Sequence, residues 1–322
     1  ATAKRVSFSY MIDCVSGMRS CILAEYFGLV LWIAWTGSMS TDETHTALLT
    51  RIADALERLA PPAPKKTDLT RHEGYIWETE KQAFRPVDEI NRLPLDSLQG
   101  IDQQKALLLE NTTKFAEGLR ANNALLWGAR GTGKSSVLKA VHGHLLEQGH
   151  HLGLVEIQRE DLNDLPDVMS LLAQTNRPFI IFCDDLAFEQ DDISYKSLKA
   201  VLEGGLSGRP PNIVFYATSN RRHLMPRQMI ENERGTAINP SEAAEEKISL
   251  SDRFGLWIGF HSVDQDTYLA MIKWYVSYYN IPVDFEDIRP DALAWAMGRG
   301  NRSGRTAFQY ILNLAMQHQI KV

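Results

Sequence analysis

The stretch Asn122-Asn123-Ala124-Leu125-Leu126-Trp127-Gly128-Ala129-Arg130-Gly131-Thr132-Gly133-Lys134-Ser135-Ser136 decides the fold. From Gly128 to Ser135 it satisfies G-x-x-x-x-G-K-[ST] at every fixed position. The glycines let successive backbone N–H groups turn inward around a phosphate, where a Cβ would block the turn or the approach. The motif places Lys134 to reach the β- and γ-phosphates and Ser135 to ligate Mg²⁺. A bare motif also occurs in Gly-rich turns that hold no ligand. Here the apolar run Ala124–Trp127 precedes it as a strand and Ser136–Leu146 follows as a helix, which is the context the motif requires. That helix directs its positive dipole end at the phosphates.

Downstream, apolar runs alternate with helical patterns. Strands are expected at Ala124–Trp127, Leu152–Gln158, Phe179–Asp184, Asn212–Thr218 and Leu256–Phe260, each a short continuous apolar run of the kind buried on both faces of a parallel sheet. Helices are expected at Gln103–Leu119, Ser135–Gln148, Leu162–Gln174 and Tyr195–Glu203. This alternation predicts a doubly wound α/β sheet. After His261 the strand signals stop, and Asp266–Tyr279, Pro290–Met297 and Thr306–Gln319 read as an all-helical lid. The expected organisation is an α/β domain over 68–262 and a lid over 263–322, preceded over 39–67 by an amphipathic helix (Thr46–Leu59) and a Pro-rich linker.

Residues 1–38 are unlike the rest. The run Cys21–Trp35 falls short of the roughly 20 residues of a membrane-spanning helix and contains Glu25, while Trp35-Thr36-Gly37-Ser38 makes a poor signal-cleavage site. Met39-Ser40-Thr41-Asp42 reads as a natural start, so the working protein is expected to begin near Met39. A membrane partner is not expected unless residues 1–38 belong to it.

The composition is that of a soluble globular protein: 322 residues, net charge −6 and 44% hydrophobic. Collagen, low-complexity disorder and disulfide scaffolds are excluded. The acidic balance provides no general field for a phosphate backbone, so nucleic-acid binding would need a local basic patch. Of the three cysteines, Cys14 and Cys21 lie in the first segment and Cys183 stands alone in the α/β domain, which favours a reducing compartment and a cytoplasmic location.

Phe179-Ile180-Ile181-Phe182-Cys183-Asp184-Asp185 ends an apolar strand in two carboxylates. This Walker B pattern delivers Asp184 to the magnesium through its water shell, while Asp185 points at the attacking water and can orient or deprotonate it. The bland alternative is an acidic pair capping the next helix.

These residues resemble the AAA+ ATPase superfamily, and over most of residues 68–322 the chain is similar to the bacterial family catalogued as domain of unknown function 815. The closer resemblance rests on Leu98-Gln99-Gly100-Ile101-Asp102, Asn122–Ser136 and Glu246-Lys247-Ile248-Ser249-Leu250-Ser251-Asp252-Arg253-Phe254-Gly255. It implies a five-stranded parallel sheet with a C-terminal helical lid, and ATP with Mg²⁺ as ligands. Leu98 and Ile101 would flank the adenine, and Gly128, Ala129, Arg130, Gly131, Thr132, Gly133, Lys134, Ser135 and Ser136 would cradle the phosphates. Asn220 resembles the sensor 1 residue that helps place the attacking water, although a turn-forming Asn after a strand is common. Arg253 resembles the arginine finger that reaches the γ-phosphate of a neighbouring subunit, so the resemblance also implies a homo-oligomer. Arg305 resembles sensor 2, with Arg302 a close rival. Many AAA+ members have Glu at the position of Asp185, and the shorter side chain predicts slow hydrolysis or a nucleotide-dependent switch.

Other signals carry less. His142, His144, His150 and His151 lack Cys/His partners at zinc spacing, so no metal other than Mg²⁺ is expected. Arg221, Arg222, His223 and Arg227 form a local basic cluster, read first as the rim of the site or a subunit contact and second as a nucleic-acid contact. Gln228–Lys247 reads as an exposed insertion, and Trp274, Tyr275, Tyr278 and Tyr279 as core packing in the lid. Three functions follow in order: an ATPase acting on an unknown protein client, an ATP-dependent switch with little turnover, and a DNA-associated loader.

Overall fold

The five apolar runs become the strands of one sheet in the computed structural model, which describes residues 42–59, 67–188, 194–204, 208–222, 224 and 253–322. Residues 1–38, the 228–247 insertion, His223 and Arg227 lie outside the described residues, as does the start at Met39. The chain divides after Ala63. On the N-terminal side of that point, helix α1 (Asp42–Leu59) begins four residues earlier than its periodicity suggested, and Leu49, Ile52 and Leu56 on its apolar stripe are exposed.

In the larger unit, strands β1 (Gly74–Glu78) and β2 (Ala83–Val87) precede β3 (Ala124–Gly128), β4 (Gly153–Glu156), β5 (Phe179–Cys183), β6 (Ile213–Ser219) and β7 (Leu256–Phe260). Their order is β2-β1-β4-β5-β6-β3-β7. The parallel five-strand core β4-β5-β6-β3-β7 is the one expected, and its central strands β5 and β6 are buried at every position. The sheet is wider than the sequence indicated: β1 pairs in parallel with β4, and β2 folds back antiparallel on β1. Tyr75 and Trp77 of β1 enter the core at alternate positions, and the Trp77 indole donates to Asp164 Oδ2 at 2.9 Å.

Helices α2 (Asp102–Ala116), α3 (Lys134–Glu147), α4 (Leu165–Ala173) and α5 (Ser194–Glu203) flank the sheet, and two apolar clusters fill its faces. The helical reading of Leu162–Gln174 divides into a 3₁₀ segment over Arg159–Asp164 and then α4, which starts with Pro166 in its first turn, where a missing N–H costs nothing. The lid comprises α6 (Gln265–Tyr278), α7 (Phe285–Gly298) and α8 (Gly304–Gln317), with a core of its own. Each is capped by a side chain accepting a backbone N–H: Asp264 from Thr267, Asp284 from Glu286 and Ser303 from Thr306. The Asp284 cap starts α7 ahead of Pro290, which lies inside the helix instead of opening it. Tyr275 is buried in this core, whereas Tyr278 is half exposed and stacks on Trp274, so the aromatic group is core only in part. The result is a doubly wound α/β sheet with a C-terminal helical lid, extended at one edge by the β1–β2 hairpin.

Candidate nucleotide-binding site

Gly128 ends β3 at φ +144°, and a Cβ there would come within 2.0 Å of the Phe260 carbonyl oxygen on β7, so only glycine lets the loop leave the sheet at this point. Gly131 and Gly133 follow at φ +77° and +95°, and Thr132 Oγ1 closes the turn by donating to the Ala129 carbonyl at 2.8 Å. Helix α3 starts at Lys134, immediately after Gly133.

Lys134 Nζ donates to the carbonyls of Gly128 (2.9 Å) and Ala129 (2.7 Å) and to Asn220 Oδ1 (3.1 Å). Burial pushes the Lys134 ammonium below the ordinary lysine value, Asp184 and Asp185 pull it back up, and Arg130 and Arg305 add to the lowering. Ser135 Oγ donates to Asp184 Oδ1 at 2.6 Å. Asn220 Nδ2 donates to Asp185 Oδ1, so one amide bridges the loop lysine and the second acid. Arg130 approaches Asp185 at 3.8 Å, but with side chains 77% and 57% exposed the pair is screened and contributes little.

Leu98, Arg130, Gly131, Gly133, Lys134, Ser135, Ser136, Asp184, Asp185, Asn220 and Arg305 line one cleft of about 530 Å³. Leu93, Thr218, Tyr275, Gly304 and Phe308, unassigned in the sequence, line it as well. Ile101 is buried behind the loop, where a Cβ on Gly133 would lie 3.6 Å from its Cδ1. Arg302 precedes the Ser303 cap of α8, whereas Arg305 falls in the first turn at the cleft. A smaller cavity of about 380 Å³ adjoins Asp184 and Asp185 and is walled by Arg130, Arg159 and Arg221. Arg222 is engaged elsewhere, lying over the Trp127 ring at 5.2 Å.

Arg253 is the assigned residue that the fold keeps apart. The β3–β7 register pairs Ala124 with Leu256 and Gly128 with Phe260. Arg253 therefore lies at the end of the sheet where strands begin and the loop at the end where they finish, with roughly 15 Å of strand between them. Its Nε donates to Glu203 Oε1, at the end of α5, at 2.8 Å.

The residues fit a nucleotide triphosphate with a hard divalent cation. Two glycines with left-handed backbones open the cradle. Ser135 and Asp184 supply only oxygen donors, and a single carboxylate suits a cation that keeps part of its water shell. Among the described residues there is no cluster of three His, Cys, Asp or Glu that could hold another metal, and no helix long and apolar enough to cross a membrane.

No curated protein matches the chain. Among solved structures, the Holliday junction branch migration motor RuvB of Thermotoga maritima is 15% identical with a TM-score of 0.44, over 68% of this chain and 62% of that one. The Aeropyrum pernix ORC1 protein in complex with DNA is 13% identical with a TM-score of 0.48, over 70% of this chain and 64% of that one. The chain thus spans less than two thirds of either protein. The family described as protein of unknown function DUF815 matches residues 70–318, well over half the sequence. The chain belongs to that family.

Proposed function

We propose that residues 68–262 bind Mg²⁺-ATP and hydrolyse it, with residues 263–322 closing over the nucleotide as a lid. The observation that carries this reading is the convergence of Lys134, Ser135, Asp184, Asp185, Asn220 and Arg305 on one cleft beside the phosphate loop. Backbone N–H groups of the loop and the Lys134 ammonium hold the phosphates. Ser135 and Asp184 hold the cation, which when bound neutralises charge developing on the transferred phosphoryl group. Asp185 accepts a proton from, or orients, the attacking water, and Asn220 fixes its carboxylate. Leu93, Leu98, Tyr275 and Phe308 provide the apolar surface a purine needs.

The distance of Arg253 from its own loop supports action in trans, with each site completed by a neighbouring copy. Positive charge placed there late in the reaction is worth about 10³–10⁵ in rate for such fingers.

A second reading, a switch with little turnover, draws on Asp185, whose short side chain is engaged by Asn220. Steady-state phosphate release across protein concentrations, with Lys134→Ala as control, separates the two. A specific rate that rises with concentration and vanishes in Lys134→Ala supports the ATPase. Tight ATP binding and assembly without phosphate release supports the switch.

A further inference from the structure

The pairing of β5 with β6 ends at Cys183 and Ala217, just before the acids. Beyond it, Asp184, Asp185 and Leu186 leave the sheet, and Asp185 takes a left-handed backbone at φ +51°, uncommon for a residue with a side chain although aspartate accepts it more readily than most. One residue on the neighbouring strand meets all three. Thr218 Oγ1 donates to Asp184 Oδ1 and accepts the Asp185 N–H at 2.9 Å, and the Thr218 carbonyl accepts the Leu186 N–H at 2.7 Å.

We infer that Thr218 is a positioning residue that sets both acids for their separate tasks. Its side chain is buried, and its hydroxyl has a single proton, committed to Asp184. The lone pair that faces Asp185 then fixes the direction of that hydrogen bond. Asp184 Oδ1 receives the hydroxyls of Thr218 and Ser135 from two sides, which locks the carboxylate and leaves Oδ2 for the cation's water shell. The tie on the Asp185 amide holds the left-handed turn that presents its carboxylate to Asn220 and the cleft. Valine at this position would keep the β-branched shape and the strand but remove both hydrogen bonds. The Asp185 amide would lose its partner and the Asp184 carboxylate would keep only the Ser135 hydroxyl on Oδ1.

The inference rests on the ATP-binding reading for its consequence and on the hydrogen bonds alone for its geometry, so two measurements on the full chain separate them. The first is amide hydrogen exchange without nucleotide, comparing Thr218→Val and Thr218→Ser with wild type. Exchange at Asp185 should speed up about tenfold or more in the valine variant and return close to wild type in serine, as expected for loss of one specific hydrogen bond. Equal exchange in all three overturns the inference whatever the protein binds. The second is ATP affinity with Mg²⁺ and with chelator. Thr218→Val should lose most of the affinity gained from Mg²⁺, and serine should restore the gain. A serine variant as impaired as valine assigns the position to packing and overturns the inference. A wild-type protein that binds no ATP refutes the functional reading, while the exchange result still decides whether Thr218 holds the turn.

Discussion

Ser303, the cap of the last lid helix, lies so close over Gly131 of the phosphate loop that a Cβ on Gly131 would come 2.9 Å from its Oγ and 3.3 Å from the Cβ of Arg305. The lid therefore touches the loop through the one face of Gly131 that has no side chain. Gly131→Ala would both strain a backbone at φ +77° and push α8 off the loop. Nucleotide affinity is expected to fall about tenfold or more in an equilibrium titration. Gly118→Ala is the control: Gly118 has a similar φ of +87° with nothing within 4 Å, so it should lose about 1 kcal/mol of stability and no affinity.

Complementation between two inactive variants tests the role of Arg253. Lys134→Ala retains Arg253 but has a disabled loop; Arg253→Ala retains the loop but lacks the arginine. Mixed together, they should recover phosphate release that neither shows alone. Wild-type turnover by Arg253→Ala alone would refute a shared site. Glu203→Gln in the Lys134→Ala chain removes the ion pair that occupies Arg253. Because that pair is partly exposed, the concentration needed for recovery should drop by no more than about fivefold.

Arg302 and Arg305 should separate cleanly. Arg305→Ala is expected to weaken triphosphate binding more than diphosphate binding, by about ten- to hundredfold for one charge-assisted contact. Arg302→Ala should leave both affinities within about twofold, since Arg302 precedes the α8 cap and does not line the cleft.

His142, on the buried face of α3, is expected to make the fold acid-sensitive. Burial lowers its pKa to about 4, against the donation of Nε2–H to the Leu152 carbonyl at 3.1 Å, while Nδ1 has no hydrogen-bond partner among the described residues. The folded ring stays neutral where the unfolded ring, with its ordinary value of 6.5, takes up a proton. Its contribution is therefore complete above about pH 6.5 and declines as pH falls towards 4, by up to about 3 kcal/mol. Urea denaturation across this interval should show the slope in wild type and a shallower one in His142→Gln.

The phosphate loop and the five core strands were legible because each is a local pattern: a fixed spacing of glycines, or an apolar run long enough to be buried on both faces. The β1–β2 hairpin was not. Tyr75-Ile76-Trp77 is a three-residue apolar run beside the charged Glu78–Lys81 turn, and its alternation has meaning only once β4 lies beside it. Pro290 misled the reading of α7 because a proline commonly opens a helix, whereas the cap at Asp284 lies six residues upstream. The sequence preferred Arg305 to Arg302 only by resemblance; the Ser303 cap puts Arg302 ahead of α8 and Arg305 in its first turn. Thr218 closes the expected strand Asn212–Thr218 with no role of its own, since its partners lie more than thirty residues away, just beyond the end of β5.

The outermost strand, β2, has a consequence for solubility. Pro86 has no N–H to offer a further strand, and Arg85 is exposed with its guanidinium held by Glu78. An unprotected edge is a template for runaway pairing between chains, and a proline with a charge is a common way to blunt one. A backbone ladder between copies is disfavoured along that margin, so association on that side would rest on side chains meeting side chains.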